Sequence, residues 1–413
     1  MVGSGHRGAQ CPNKHMCEDA MDHATQVHLI ERVFDMIDRR TTEMDPTEYR
    51  NPVSRYTDPE RYKREVEVIF RRNPIIVAHG SELPKPGDYK TLDVTGIPIL
   101  LVRTQDGHVN AFLNVCRHRG TKLVWEECGS HKRSFVCPYH AWTYGTDGKL
   151  VGVPAAEGFP NMKREEMGLK QLHCTERFGF VFVQADPTAP KVDVDAWLGP
   201  MAHELEHIGT ADYVVWRPAQ LEKKTNWKLA LDTFLENYHT RRTHTKTIWP
   251  VFMDNTAGFD RLSPHARVVL PKRSIPEIRD QDRSTWNLRD HSTVLYTIFP
   301  NLMLAVLPDH CAIFQAWPDG IDNCKLPAYT LVPPKYLNSK TAEDIWSKSM
   351  HVVFDVTEED SDRSEAIQAG LNSGANDHLV FGRYEQALAW FHQEVEAMLN
   401  GDADWVRYAE AAE

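Results

Sequence analysis

The sequence predicts an α+β protein in which a small all-β domain is inserted before a larger domain of antiparallel strands and helices. Three observations predict this arrangement. Short β-type runs broken by turn signals fill residues 74–185, further strand-like runs lie within 265–332, and apolar residues show helical spacing over 341–400. A separate block of strands, followed by a region with both strands and helices, indicates two packed units.

The N-terminal part of the chain is predicted to be helical. Over residues 20–45 apolar side chains recur at the spacing of one helix face: Val27, Leu29, Ile30, Val33, Phe34 and Ile37. We expect this segment, residues 1–70, to pack on the larger domain. Its first 17 residues contain four potential metal ligands, but this stretch is more typical of a disordered terminus than of a metal site: His6, Cys11, His15 and Cys17.

Two turn signals organise the β block, residues 71–187. Asp106-Gly107 separates the runs ILLVRT and VNAFLNV, and Asp147-Gly148 separates WTYG from KLVGV. An Asp-Gly pair between apolar runs is a strong hairpin signal, because glycine adopts a positive φ without steric cost. FGFVFVQA closes the block, and DPTAPKVD after it is predicted to be a linker.

The larger domain, residues 188–413, mixes the two patterns. Residues 222–240 have helical spacing, and the strand-like runs within 265–332 are RVVLP, TVLYTIF, LMLAVL and CAIFQAWP. Helices are predicted over 341–400 from these apolar residues: Ile367, Leu371, Leu388, Phe391, Val395 and Leu399.

Bulk composition excludes several classes of function. With 413 residues, 41% of them hydrophobic and 25% charged, the chain is long and apolar enough for a sizeable core. A net charge of -11 argues against nucleic acid or an anionic membrane as the main partner. No apolar run approaches the roughly 18 residues that span a bilayer, and the N-terminus has no apolar signal segment. Eight scattered cysteines do not resemble a disulfide framework, so a reducing cytoplasmic location is expected.

Two cysteine–histidine pairs lie in the β block. NVCRHRG contains Cys116 and His118, and CPYHAW contains Cys137 and His140. One interpretation is zinc, but zinc sites usually pair Cys with Cys and His with His along the chain. Two loops that each supply one thiolate and one imidazole fit a two-iron cluster, with both sulfurs on one iron and both imidazoles on the other.

CRHRG and CPYHAWTY resemble the ligand loops of a Rieske [2Fe–2S] domain, specifically in the oxygenase component of Rieske non-heme iron oxygenases (the aromatic ring-hydroxylating dioxygenase α subunit family). NWKLALDTFLENYHTRRTH resembles the family's iron-binding helix, and EEDSDRSEAIQAGL resembles the helix with its third iron ligand. The resemblance covers most of the chain. It implies a Rieske domain at 71–187 and a helix-grip catalytic domain with a mononuclear Fe(II) at 188–413.

His239 and His244 match the family's iron-binding histidine pair. Non-heme iron that activates O₂ is usually held by two histidines and one carboxylate, which leaves positions open for oxygen and water. Five residues along an ideal helix turn the second side chain about 140° away from the first. We therefore predict that the helix loosens into a π-type turn, or ends, between the two histidines.

The third iron ligand is expected among the carboxylates of the EEDSDR run: Glu358, Glu359, Asp360 and Asp362. Asp360 precedes Ile367 by seven residues and Leu371 by eleven, so these three side chains share one helix face. Asp362 points away from that face. The family resemblance, an aspartate eight residues before Gln368, also selects Asp360.

Glu236 lies one helical turn before His239, so it is predicted to hydrogen-bond that imidazole rather than to bind the metal. The resemblance implies that this carboxylate bridges His239 to His140 of a neighbouring subunit. Electrons would then cross a subunit interface in a ring-shaped oligomer, most often a homotrimer or a multiple of it. Asp232, one further turn back, is a rival for the bridging role.

Two other features need an interpretation. His203, Glu204 and His207 form an H-E-x-x-H motif, so a zinc hydrolase is a remote alternative, although 20 histidines make a chance match plausible. Five basic residues surround the cluster loops and either form a solvated face or steer an acidic electron donor: Arg117, Arg119, Lys122, Lys132 and Arg133.

The resemblance implies O₂-dependent hydroxylation of a small organic compound, in the first place an aromatic one; the alternative is a monooxygenase that carries out N- or O-demethylation. The chain has no dinucleotide-type G-x-G-x-x-G motif, since the one match, Gly3 to Gly8, follows no strand-like run. NAD(P)H is therefore expected to act only indirectly, through a separate flavin reductase, a ferredoxin or both. The resemblance is also compatible with a β subunit in the assembly. Five apolar residues are available either for the substrate pocket or for the core: Phe234, Leu235, Tyr296, Phe299 and Phe314.

Overall fold

A computed structural model describes residues 21–401 of the chain. Two compact units are present: a small unit, residues 63–197, and a large unit that combines the described residues up to Tyr62 with Leu198–Asn400. The boundaries expected from composition, after residues 70 and 187, lie close to this division but not at it. His6, Cys11, His15 and Cys17 lie outside the described residues, so their interpretation stays open.

The N-terminal segment of the large unit is mostly helical. Its elements are α1 (His23–Arg39), β1 (Tyr49–Pro52), α2 (Ser54–Thr57) and the start of α3 (Pro59–Arg64). The π-helical turn that follows α3, Glu65–Arg71, belongs to the small unit. Asp22 caps α1 by accepting a hydrogen bond from the Thr25 amide at 3.0 Å. The segment contacts the rest of the large unit, because Arg32 pairs with Asp260 at 2.7 Å.

The small unit consists almost entirely of antiparallel strands. Its elements are β2 (Ile75–His79), β3 (Tyr89–Val94), β4 (Ile97–Arg103), β5 (Val109–Leu113), β6 (Cys128–Gly129), β7 (Ser134–Val136), β8 (Thr143–Gly145), β9 (Leu150–Gly152), β10 (Gln171–Arg177), β11 (Phe180–Gln184) and α4 (Val194–Leu198). Seven strands pair in the order β2-β11-β10-β5-β4-β3-β6, and β7-β8-β9 form a second sheet. The predicted turns are confirmed, because Gly107 and Gly148, both at positive φ, connect β4 to β5 and β8 to β9.

A single large sheet dominates the rest of the large unit. Its strands are β12 (Val214–Lys223), β13 (Gly258–Leu262), β14 (His265–Pro271), β15 (Ser292–Ile298), β16 (Leu302–Val306), β17 (Cys311–Gln315), β18 (Trp317–Pro318) and β19 (Cys324–Val332). They pair antiparallel in the order β12-β19-β17-β16-β15-β14-β13, with β18 beside β19. A separate strand, β20 (His378–Phe381), pairs with β1. The strand runs predicted within 265–332 are therefore confirmed.

The helices of this unit are α5 (Pro200–Ile208), α6 (Trp227–Asp232), α7 (Thr240–Thr243), α8 (Leu288–His291), α9 (Lys340–Asn372) and α10 (Gln386–Asn400). The prediction of continuous helix over 222–240 is wrong, because residues 222–223 belong to β12 and α6 ends at Asp232. None of the described helices is long and apolar enough to cross a membrane.

The two faces of the large sheet differ in chemistry. Side chains alternate between faces along each strand. Tyr296 and Arg267, paired across β14 and β15, both contact Glu204 of α5, at 2.6 and 2.8 Å. We call the opposite face the site face; cross-strand pairing aligns on it two rows of side chains, Thr297–Met303–Phe314 and Leu295–Ala305–Ala312.

Candidate metal centres

The two cysteine–histidine loops of the small unit have the same backbone design. In the first loop the Gly120 amide donates to the Cys116 carbonyl at 3.0 Å, and in the second the Ala141 amide donates to the Cys137 carbonyl at 3.0 Å. Gly120 and Ala141 both have positive φ, 77° and 57°. Each loop therefore closes a turn four residues after its cysteine, with the histidine inside the turn.

The sulfur donors of these loops are buried more deeply in the small unit than the nitrogen donors. Cys116 and Cys137 are buried in the core of the small unit, whereas His140 is exposed and His118 is half-buried. The two imidazole rings lie 4.7 Å apart, and His118 also stacks on Trp142. Burial and the neighbouring His140 lower the pKa of His118, which keeps the ring neutral, as a metal ligand requires.

A hydrogen-bond donor points at one of the sulfurs. The Tyr144 hydroxyl accepts from the Arg117 amide at 3.0 Å and lies 3.3 Å from Cys116 Sγ. Since the amide occupies the acceptor side of the oxygen, the hydroxyl proton is available to the sulfur. Two buried thiols with a donor on one of them, and two outer imidazoles, fit a [2Fe–2S] cluster.

The second centre depends on a break in helical structure before His239. After α6 ends at Asp232, buried Asn237 fixes the chain by donating to the carbonyls of Met253 and Thr256. His239 then stands immediately before the four-residue helix α7, and His244 immediately after it. The predicted end of the helix between the two histidines is found at Thr243, but the longer break over residues 233–239 was not predicted.

The structure brings His239, His244 and Asp360 together. The two Nε2 atoms are 3.1 Å apart, and Asp360 Oδ1 lies 3.0 Å from His244 Nε2 and 3.4 Å from His239 Nε2. Within residues 21–401 these three form the only group of His, Cys, Asp or Glu side chains arranged to hold one metal ion. His244 and Asp360 are buried, and His239 is half-buried.

The outer nitrogens of both imidazoles contact carboxylates. Glu236 bonds His239 Nδ1, and Glu359 Oε2 lies 2.7 Å from His244 Nδ1. A carboxylate can only accept, so a neutral ring carries its proton on Nδ1 and directs a lone pair from Nε2. Two such lone pairs and one carboxylate oxygen then converge with no proton between them. This donor set fits a divalent cation with open positions, as in non-heme iron sites.

Electrostatics at the centre favour positive charge. Burial lowers the pKa of His239, but Glu236 and Asp360 outweigh this and raise it to about 10. The pKa of His244 is also raised, because Asp360 and Glu359 outweigh burial. Burial raises the pKa of Asp360, yet contact with both histidines leaves it below its ordinary value.

Asp232 and the H-E-x-x-H motif, which the sequence also singled out, contact other partners. Asp232, the rival for the bridge, is bonded to Tyr56 at 2.8 Å and to His392 at 3.1 Å. In the H-E-x-x-H motif Glu204 is buried in its pair with Arg267, and the His207 ring contacts its own helix backbone. That arrangement does not support a zinc hydrolase.

The exposure of side chains on α9 agrees only in part with the sequence prediction. Asp360 and Leu371 are buried and Asp362 is exposed, as helical spacing predicts, but Ile367 is 41% exposed, so its use as a core marker is wrong. The contact of Glu359 with His244 was missed. The only available signal was its position directly before Asp360.

Comparison with known proteins agrees with both centres. A family model described as "Rieske [2Fe-2S] domain" matches residues 73–166, and one described as "Ring hydroxylating alpha subunit (catalytic domain)" matches residues 210–401. Biphenyl 2,3-dioxygenase subunit alpha of Rhodococcus jostii (strain RHA1) is 31% identical over 295 residues, which are 70% of this chain and 58% of that protein. The large oxygenase component of the naphthalene 1,2-dioxygenase system of Ralstonia sp is 38% identical over 199 residues, 46% of this chain and 44% of that protein. This chain therefore spans less than two thirds of either relative.

Two solved structures have the same fold. A quaternary ammonium Rieske monooxygenase in complex with an inhibitor superposes with a TM-score of 0.74 at 26% identity, covering 86% of this chain and 96% of that one. Naphthalene 1,2-dioxygenase with bound indole gives a TM-score of 0.69 at 21% identity, covering 88% and 95%.

The fold and the two centres define a protein with a Rieske domain and a mononuclear-iron domain. The chain belongs to the Rieske non-heme iron oxygenases, in the family of ring-hydroxylating α subunits. Its cofactors are accordingly a [2Fe–2S] cluster and a mononuclear iron.

Proposed function

We propose that this chain uses O₂ to hydroxylate a small, neutral, apolar compound, in the first place an aromatic one. The observation that carries the proposal is the chemistry of the site face. Phe314 on this face stacks on Phe234, in the segment that leads to His239, with ring centroids 5.5 Å apart. The site-face positions of the four central strands are all uncharged: Ala266, Val268, Leu270, Thr293, Leu295, Thr297, Met303, Ala305, Ala312 and Phe314.

The site face also has accessible apolar surface. Leu295 and Ala305 form a cross-strand pair and are the only residues of β15 and β16 that are not fully buried. Within these four strands charge is confined to the opposite face, where Arg267 pairs with Glu204. Burying a charged substrate without a partner costs several kcal/mol, roughly, so this surface favours a neutral one.

Within the proposed function His239, His244 and Asp360 hold the mononuclear iron, and Cys116, Cys137, His118 and His140 hold the cluster. When bound, the cluster would pass on electrons received from a reductase, and the iron would be the place where O₂ is activated. Glu236 keeps the proton of His239 on Nδ1, so that Nε2 is free for the metal. We propose that the same carboxylate reaches the partner subunit's His140, which is exposed, as the resemblance implies.

The proposed assembly is a homotrimer or a multiple of it, which receives electrons from a ferredoxin or a flavin reductase. Exposed aromatic and basic side chains beside the cluster loops support a protein-binding role for this surface. Trp125 is 64% exposed and lies under Lys122, and Tyr139 is 56% exposed and lies under Arg119.

A second candidate is N-demethylation by monooxygenation. The observations that favour it are the likeness to the quaternary ammonium Rieske monooxygenase and the Phe234–Phe314 pair, since quaternary ammonium groups bind aromatic faces.

Turnover with ¹⁸O₂ separates the two candidates. The purified chain, reduced through a ferredoxin and its reductase, is supplied with biphenyl, naphthalene or a trimethylammonium compound, and products are analysed by mass spectrometry. Incorporation of two labelled atoms into an aromatic substrate is the expected result, and an Asp360→Ala variant is the inactive control. Formaldehyde release from the ammonium compound alone would favour the second candidate, and no oxygenated product from any substrate would overturn the first.

A further inference from the structure

Glu359 occupies a special position beside the mononuclear centre. It directly precedes Asp360 on α9, but its side chain points to a different edge of the His244 ring. Its Oε2 atom accepts from His244 Nδ1 at 2.7 Å and from the Thr247 hydroxyl at 2.7 Å. Glu359 is therefore outside the metal-binding group but contacts one of its histidines.

We propose that Glu359 is a positioning residue that fixes the ring and tautomer of His244 for iron binding. This inference rests on the proposed function, because it requires a metal at His239, His244 and Asp360. Glu359 holds the proton on Nδ1 and so leaves the Nε2 lone pair for the metal, on the ring edge that lies 3.0 Å from Asp360 Oδ1. An imidazole that donates to a carboxylate is also a more basic metal ligand.

The geometry of α9 makes this double contact possible. Consecutive residues of a helix point about 100° apart. Asp360 is 5% exposed and faces the Nε2 edge of His244, whereas the Glu359 side chain is 32% exposed and reaches the Nδ1 edge. One turn of α9 therefore supplies both the metal ligand and the group that orients another ligand.

Thr247 completes the arrangement from the histidine side. Its amide donates to the His244 carbonyl at 3.2 Å, which closes a turn after His244 and places the hydroxyl against Glu359. The three-residue spacing from His244 to Thr247 thus holds the Glu359 carboxylate in place, and this carboxylate in turn orients the His244 ring. Glu236 has the equivalent contact with His239, but its proposed role extends to a neighbouring subunit.

Anaerobic Fe(II) titration of the 413-residue chain, depleted of mononuclear iron but with its [2Fe–2S] cluster retained, tests the inference with a competing chelator. We expect Glu359→Ala to weaken Fe(II) binding by roughly 10- to 100-fold, while the visible absorbance of the [2Fe–2S] cluster stays unchanged. Glu359→Gln keeps an oxygen acceptor for Nδ1–H and should recover most of that loss. The matched control is Glu358→Ala, since the neighbouring carboxylate pairs with Lys223 instead.

The electron paramagnetic resonance spectrum of the Fe(II)–nitric oxide complex provides a readout that does not depend on activity. A changed ligand orientation in Glu359→Ala should alter its rhombicity, and Thr247→Val should cause a smaller change in the same direction without altering α9. Wild-type affinity and spectrum in both variants, or equal losses in Glu359→Ala and Glu358→Ala, would overturn the positioning role. Failure of the wild-type chain to bind Fe(II) would instead overturn the proposed function.

Discussion

At the scale of single residues, one ring nitrogen of each histidine decides what the other can do. Both Nδ1 atoms of the mononuclear centre face carboxylates, Glu236 and Glu359, so both Nε2 atoms face inward and are the nitrogens left for a metal. The two carboxylates differ in what else they bind. Glu236 accepts from the backbone amide of His239, whereas Glu359 accepts from the Thr247 hydroxyl.

Replacement of Glu236 by Gln is expected to separate metal assembly from electron transfer. The amide oxygen can still accept from His239 Nδ1, so both metal centres should assemble. Loss of the charge should slow product formation by roughly 100-fold, because the link to the neighbouring cluster is weakened. Iron content and rapid-mixing oxidation of the reduced cluster measure the two effects separately; unchanged turnover with full iron content would contradict the bridge.

The hydroxyl of Tyr144 is expected to set part of the cluster's reduction potential. Its hydrogen bond to the Cys116 sulfur favours the reduced, more negative cluster. One such bond is worth about 1 kcal/mol, so Tyr144→Phe should lower the one-electron potential by roughly 40 mV. A redox titration measures this shift. Tyr139→Phe is the control, because that hydroxyl binds Arg119 and not a sulfur; equal shifts in both variants would contradict the assignment.

At the scale of elements, the sequence predicts strands better than the iron-binding segment. Alternating apolar runs and Asp-Gly turns depend on local spacing, and the sheet built from them matches the prediction. The break before His239 depends on tertiary bonds of Asn237 to residues 16 and 19 positions away, which no local pattern shows. The buried face of α9 is largely polar, with Thr357, Asp360, Ser361, Ser364 and Gln368, so apolar periodicity misplaced Ile367.

Two substitutions on α9 test which residues hold it in place. Leu371 is 4% exposed and packs with Val53, Tyr56 and Leu229, so Leu371→Ala should cost about 2–5 kcal/mol of unfolding free energy. Ile367→Ala, four residues earlier on the exposed side, should change it by less than about 0.5 kcal/mol. Urea unfolding followed by tryptophan fluorescence measures both; a larger loss from Ile367→Ala would contradict the orientation of the helix.

At the scale of the whole molecule, the charge of the iron site links metal binding to pH and to stability. The pKa of His239 is raised to about 10, so the metal-free site holds a proton at neutral pH. Iron requires the neutral ring, so Fe(II) affinity should rise with pH, by about tenfold per unit for each proton displaced.

The stability of the metal-free chain should change in the opposite direction. A raised folded-state pKa adds stability that is fully present below the unfolded value of about 6.5 and is lost as pH rises toward the folded value. Fe(II) titrations and urea unfolding between about pH 6.5 and about pH 9 test both trends. An Fe(II) affinity independent of pH would contradict the protonated metal-free site.

Transfer of electrons between subunits can be tested with mixed oligomers of two inactive variants. Cys116→Ser removes the cluster and leaves the mononuclear site intact, whereas His239→Ala removes the mononuclear site and leaves the cluster intact. If Glu236 connects each iron to the partner subunit's His140, a cluster in the second variant can reduce iron in the first. Co-expressed and co-purified mixtures should therefore recover part of the wild-type turnover, although each variant alone is inactive.

A mixture that forms oligomers with intact centres of both kinds, yet makes no product, would place the electron path within one subunit. Adding Glu236→Gln to the Cys116→Ser variant should lower the recovered turnover by roughly 100-fold, because the bridge to the iron that accepts electrons is then weakened.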